Sequence, residues 1–103
     1  MSCDVALGVP FNIVQYALMA HMLAHVCNMT TDEFIWDGGD VHIYSNQWDG
    51  VKEQLSRSIA KYPETARVEL NPEVKSIFDF TLDDVKVVDY ESYPTIKFPA
   101  AAV

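Results

Sequence analysis

Residues 37–46 read DGGDVHIYSN, two glycines and an acid running straight into an alternation of apolar and polar side chains. Alternation is the pattern of a strand, on which successive side chains point to opposite faces. His42 and Tyr44 therefore share one face, and Val41 and Ile43 share the other. Two polar rings aligned on a strand form either a hydrogen-bonding surface for a small polar ligand or a satisfied core histidine beside a half-buried tyrosine. Residue type alone favours the second. Gly38 and Gly39 inside this pattern predict a bulge or a close backbone approach.

Upstream, residues 11–27, FNIVQYALMAHMLAHVC, carry apolar side chains around most of a helical circumference. The spacing predicts a helix that begins after Pro10, has Asn12 near its start, and ends near Cys27 and Asn28. A helix apolar on nearly all sides should be central and nearly fully buried. Gln15, His21 and His25 interrupt it, and it is too short and polar to span a bilayer. Thr30 to Glu33 form a turn, and the strand is expected to run from Phe34 to Ser45.

Downstream the period changes. Residues 46–60, NQWDGVKEQLSRSIA, place Trp48, Val51, Leu55 and Ile59 at helical spacing with Lys52, Glu53 and Arg57 outward. Gly50 weakens that helix without forbidding it. ARVEL at 66–70 reads as a strand and Asn71 to Glu73 as a turn. Residues 76–90, SIFDFTLDDVKVVDY, read as a short strand, a turn at Asp83 and Asp84, and a second strand. The last residues, SYPTIKFPAAAV, hold two prolines and should lie extended. The pattern is α/β of the α+β kind, a mixed sheet with a central buried helix, in one domain over 1–103.

Seven Lys and Arg face fifteen Asp and Glu, a formal charge of -8, and half of the residues are apolar. That balance argues against a nucleic-acid or anionic-membrane partner. The first Lys or Arg is Lys52, so the half containing DGGDVHIYSN has neither. Cys3 and Cys27 form no CxxC pair and no disulfide framework, and no secretory leader is visible, which points to the cytoplasm.

Other candidate chemistry reads more simply as structure. His21 and His25 have the i, i+4 spacing of zinc ligands, but no Glu follows His21 and only two cysteines are on offer, so no metal site is expected. Cys27 falls where a helix ends, the wrong end for a thiolate, and Cys3 adjoins Asp4 with no cation nearby in sequence. Asp83 and Asp84 read as a solvated turn.

Three blocks in order, SCDVALGVPFN at 2–12, GGDVHIYSN at 38–46 and YPTIKFPAAAV at 93–103, closely resemble the C-terminal part of thymidylate synthase. The resemblance covers essentially the whole chain. It implies that Ser2 contacts the phosphate of dUMP, that Asn12 recognises the uracil ring, and that His42 and Tyr44 hydrogen-bond the ribose 3'-hydroxyl. It also implies that Asp4 meets the folate pterin and offers its backbone N–H to the pyrimidine. Leu7, Gly8 and Phe11 would line the pocket for 5,10-methylenetetrahydrofolate, and the segment ending at Val103 would close over both ligands.

The family's nucleophile is a Cys in a Pro-Cys-His block upstream of the Ser-x-Asp segment. Cys3 is not that residue, so no catalytic nucleophile is assigned here. The family also has an Arg directly before the Ser, a position held here by Met1. The resemblance therefore implies a C-terminal segment of a reductive methylase acting with an upstream synthase fragment or intact subunit, as a homodimer. Family members add a thiolate at C6, attack the folate methylene from C5 and finish with hydride transfer. Two other readings remain open at this stage: a segment of a pyrimidine hydroxymethylase, and a non-catalytic module that binds nucleotide or a synthase subunit.

Overall fold

The computed structural model describes residues 3–62 and 64–101, so the expectations for Ser2 and Val103 lie outside the described residues. The chain forms two compact units. One comprises Met1–Ile13, Trp36–Pro63 and Ser92–Val103, and the other Val14–Ile35 and Glu64–Glu91.

In the first unit β1 (Cys3–Asp4) pairs in parallel with β2 (Val41–His42), Cys3 opposite Val41 and Asp4 opposite His42. The Cys3 N–H donates to the Asp40 carbonyl at 2.7 Å and the Val5 N–H to the His42 carbonyl at 3.1 Å, the slanted ladder of a parallel pair. A short 3-10 turn, Ser45–Gln47, leads into α2 (Trp48–Leu55). The helix expected over 46–60 thus stops at Leu55. There the Ser56 hydroxyl donates to the Glu53 carbonyl at 2.6 Å and competes with continuation. On its apolar stripe Val51 is half-buried, while Trp48 and Leu55 are exposed, Leu55 by 79%; Ile59, expected to extend the stripe, lies past the helix and is exposed.

In chain order α1 (Gly8–Val26) follows β1; its first residues belong to the first unit and the rest to the second. It starts earlier than expected and takes Pro10 into its first turn. Proline is tolerated there because first-turn N–H groups have no intrahelical acceptor. The other end fits a Schellman motif: Met29 N–H donates to the Ala24 carbonyl at 2.8 Å and Asn28 N–H to the His25 carbonyl at 3.2 Å. Asn28 closes it with φ 54°, a conformation asparagine tolerates better than most residues.

The expected burial of α1 needs correction. Val9 is buried, but Phe11, Val14, Tyr16, Met19 and Leu23 are exposed, Phe11 by 72%. Sequence periodicity reports which faces are apolar, not whether the same polypeptide supplies their cover. The expected α+β combination of helix and sheet is present; among the described residues the strands form one parallel and one antiparallel pair, and Phe34 to Asp40 form no strand. Only at its end, where the Asp40 carbonyl accepts from Cys3 N–H, does a described strand bond this segment; the 34–39 backbone has no strand partner among the described residues, and an extended segment needs one to become a strand.

In the second unit β3 (Arg67–Leu70) and β4 (Val85–Val88), both read as strands from the sequence, pair antiparallel. Val68 and Leu70 turn inward while Arg67 and Glu69 face out. The Arg67 guanidinium bonds both Asp89 and Glu69. Residues 77–79, read as strand, are instead a 3-10 turn started by Ser76, whose hydroxyl accepts the Phe78 N–H. His25 Nε2 donates to the Val74 carbonyl at 2.9 Å, and its ring meets Phe80 edge-on at 5.9 Å. That partnership gives His25 the packing role expected of it.

Asp84 is more than a solvated turn residue. Its carboxylate accepts from the Asn71 amide at 2.8 Å, the Thr81 N–H at 2.8 Å and the Thr81 hydroxyl at 2.9 Å. These bonds favour the anion, the Asn71 bond most, and hold its pKa below the ordinary value. No described helix is long and apolar enough to cross a membrane.

Candidate functional site

Asp4, Leu7, Gly8, Phe11, Asn12, His42 and Tyr44, far apart in the chain, all fall in the first unit. The β1–β2 ladder puts Asp4 opposite His42. Asp4 then organises the turn into α1, its Oδ1 accepting the Leu7 N–H at 3.2 Å. A Cβ at Gly8 would sit 3.5 Å from the Asp4 Cβ, an ordinary contact, so space rather than strain surrounds that glycine. The helix next presents Phe11 and Asn12, both exposed. A flat apolar ring, an amide and a carboxylate thus lie on one short stretch of backbone.

At the end of β2 and just beyond it, before the 3-10 turn, the two polar rings behave as a pair; the strand expected to reach Ser45 ends at His42. His42 and Tyr44 meet edge-on with centroids 5.7 Å apart and planes at 71°, and both are partly buried. His42 Nδ1 lies 3.4 Å from the Asp40 carboxylate, which orients the imidazole. Gly38 earns its place by close approach: a Cβ there would collide with Trp36 and Val41.

The residue that sequence reasoning passed over is Gln47. It is fully buried, and its Nε2 donates to the Pro99 carbonyl at 3.2 Å and to Asp4 Oδ2 at 3.4 Å. Its Oε1 has no donor among the described residues, a situation that costs about 1–3 kcal/mol when a polar atom is buried. Beside it the Asn46 amide donates to the Ala100 carbonyl at 2.8 Å. Phe98 lies against Gly50, where a Cβ would come within 2.5 Å of the ring. Gly50 is therefore what lets the C-terminal segment approach α2.

Further back, the Tyr93 hydroxyl donates to the Ser58 carbonyl at 3.1 Å and accepts the Ser58 N–H at 3.2 Å. Arg57 and Lys61 stack on the Tyr93 ring at 5.2 and 4.6 Å. Residues 90–101 contain no helix or strand, as the prolines predicted, yet the segment is tied down at four points. No sequence signal marks Gln47 or the Gly50–Phe98 pair, because the partners are about fifty residues apart. Cys3 lies on β1 and Cys27 just past α1, and neither has a cation or histidine hydrogen bond among the described residues.

Ladder, turn, helix start and paired rings together make a scaffold on which a carboxylate, an amide, an imidazole and a phenol are arrayed. The chain belongs to the thymidylate synthase family, whose model matches residues 1–102. It is 52% identical over 100 residues to thymidylate synthase of Leuconostoc mesenteroides subsp. mesenteroides, a match covering 97% of this chain and 30% of that protein. Its fold matches thermostable thymidylate synthase A from Bacillus subtilis with a TM-score of 0.87 at 38% identity, over 98% of this chain and 35% of the other. The chain thus spans about a third of the length of these relatives.

Proposed function

We propose that this chain is the nucleotide- and folate-contacting C-terminal segment, residues 1–103 of a single domain, of a thymidylate synthase that reductively methylates dUMP to dTMP in the cytoplasm. The observation that carries the reading is the register of Asp4 against His42, which holds the pyrimidine-side and ribose-side residues on one backbone frame. His42 and Tyr44 bind the ribose 3'-hydroxyl, and their mutual edge-on contact supports a common ligand face. The Asn12 carboxamide reads uracil by accepting from N3–H and donating to O4, a pattern cytosine reverses. Ser2 contributes to the phosphate site.

The exposed Phe11 ring and Leu7 beside the Asp4 carboxylate suit a flat heteroaromatic ring with N–H donors. Asp4, Leu7, Gly8 and Phe11 would hold 5,10-methylenetetrahydrofolate, which when bound supplies the one-carbon unit and the hydride. The segment ending at Val103 excludes water from the site. The thiolate for C6 and the phosphate-binding cations come from another stretch of polypeptide or a partner subunit; in support, neither cysteine has an activating hydrogen-bond partner among the described residues. The open apolar faces of α1 and α2 support cover by that same polypeptide in a homodimeric enzyme.

The test is calorimetric titration of dUMP into this chain combined with an upstream part bearing the family's Pro-Cys-His block. Saturable dUMP binding weakened by His42→Ala is expected. Binding indifferent to that substitution overturns the assignment of the ribose face.

A further inference from the structure

We propose that Gln47 couples the docked C-terminal segment to Asp4, and so acts as a positioning residue for the ligand-contacting carboxylate. The importance of Asp4 rests on the function proposed above, while the coupling rests on geometry alone. Both carboxylate oxygens of Asp4 are held: Oδ1 by the Leu7 N–H at 3.2 Å and Oδ2 by Gln47 Nε2 at 3.4 Å. A carboxylate bonded at both oxygens has its plane fixed, and one of these bonds exists only while the Gln47 amide points at it.

What aims that amide is the C-terminal segment. The same nitrogen donates to the Pro99 carbonyl, whose position is secured on one side by the Asn46–Ala100 bond and on the other by Phe98 seated on Gly50. Undocking the segment removes one of the two acceptors and opens a fully buried side chain to water. The orientation that serves Asp4 is then no longer enforced. By linkage the influence runs both ways: a ligand that favours the held orientation of Asp4 also favours the docked segment. Packing does not account for glutamine here, since an apolar side chain of equal length would fill the space without a stranded Oε1.

The Leu7 amide reports the Asp4 carboxylate directly, and the Val5 amide, bonded to the His42 carbonyl, reports the ladder. Hydrogen exchange of both is measured by NMR in the chain, in a chain ending at Phe98, in Gln47→Met, and in the combination. Each single change should speed Leu7 exchange by roughly two- to tenfold, leave Val5 unchanged, and add nothing to the other. Unchanged Leu7 exchange on truncation, additive effects, or equal acceleration of Val5 overturns the coupling. Should Gln47→Met not fold, the chain ending at Phe98 decides alone, since it keeps Gln47 and the Phe98–Gly50 contact. None of these readouts needs nucleotide or folate, so their failure leaves the enzyme reading standing, and failure of dUMP binding leaves the coupling standing.

Discussion

Asp4 and His42 are Cα partners in the parallel β1–β2 ladder, and His42 meets the ring of Tyr44, two residues on and just past the end of β2, edge-on. The relative placement of Asp4 and His42 is thus set by a backbone pairing that side-chain changes need not disturb. Tyr44→Phe keeps the ring packing and removes only the hydroxyl. In the complemented enzyme it should raise KM for dUMP by roughly two- to tenfold, the worth of one hydrogen bond. Steady-state kinetics against dUMP checks it, and an unchanged KM takes Tyr44 out of the ribose site.

Asn12 is exposed near the start of α1, where no described residue fixes its amide. Asn12→Asp should move the preference of the complemented enzyme from dUMP toward dCMP. A carboxyl group that keeps a proton can donate to cytosine N3 and accept from N4–H. Uracil meets the opposite pattern and should lose about 1–3 kcal/mol, roughly five- to a hundredfold in relative kcat/KM. Measuring kcat/KM for both nucleotides decides the point, and a constant ratio leaves Asn12 a helix-start residue only.

Gly50→Ala sets two effects against each other. Alanine should favour α2 by up to about 1 kcal/mol. Its Cβ would fall 2.5 Å from the Phe98 ring, and overpacking of this kind costs about 1–3 kcal/mol. Net loss of stability is expected, with faster carboxypeptidase release of the C-terminal residues. In a Phe98→Ala background the same substitution should become stabilising, and thermal unfolding of the four proteins of this cycle measures the reversal.

Asp84 gives a pH signature. Its folded pKa lies below the ordinary 3.8, so the stabilisation it provides is fully present above 3.8 and is lost as pH falls through the folded value. Urea midpoints between pH 2 and 6 should fall in acid more steeply for the chain than for Asp84→Asn. Parallel curves would show that the Asn71 and Thr81 bonds do not favour the anion.

Where both partners of an element lie in one short stretch, the sequence was legible. The alternations at 67–70 and 85–88 predicted β3 and β4, and Asn28 marked the end of α1. Phe34 to Trp36 misled, because an apolar run looks like a strand whether or not another strand is present to pair with it. Ser76 to Asp79 misled for a local reason, the Ser76 hydroxyl offering the backbone a turn instead. The closeness of His42 and Tyr44 could be read from the period of two, although the strand itself ends at His42. The link from Gln47 to Asp4 and Pro99 could not, since a buried amide leaves no periodic trace and its acceptors lie at opposite ends of the chain.

The most direct measurement is dTMP formation from dUMP and 5,10-methylenetetrahydrofolate by this chain alone, by an upstream part carrying the Pro-Cys-His block, and by the two together. Activity should appear only in the mixture and should persist in Cys3→Ser. Turnover by the chain alone that disappears in Cys3→Ser would contradict the account, since it would put the nucleophile on β1.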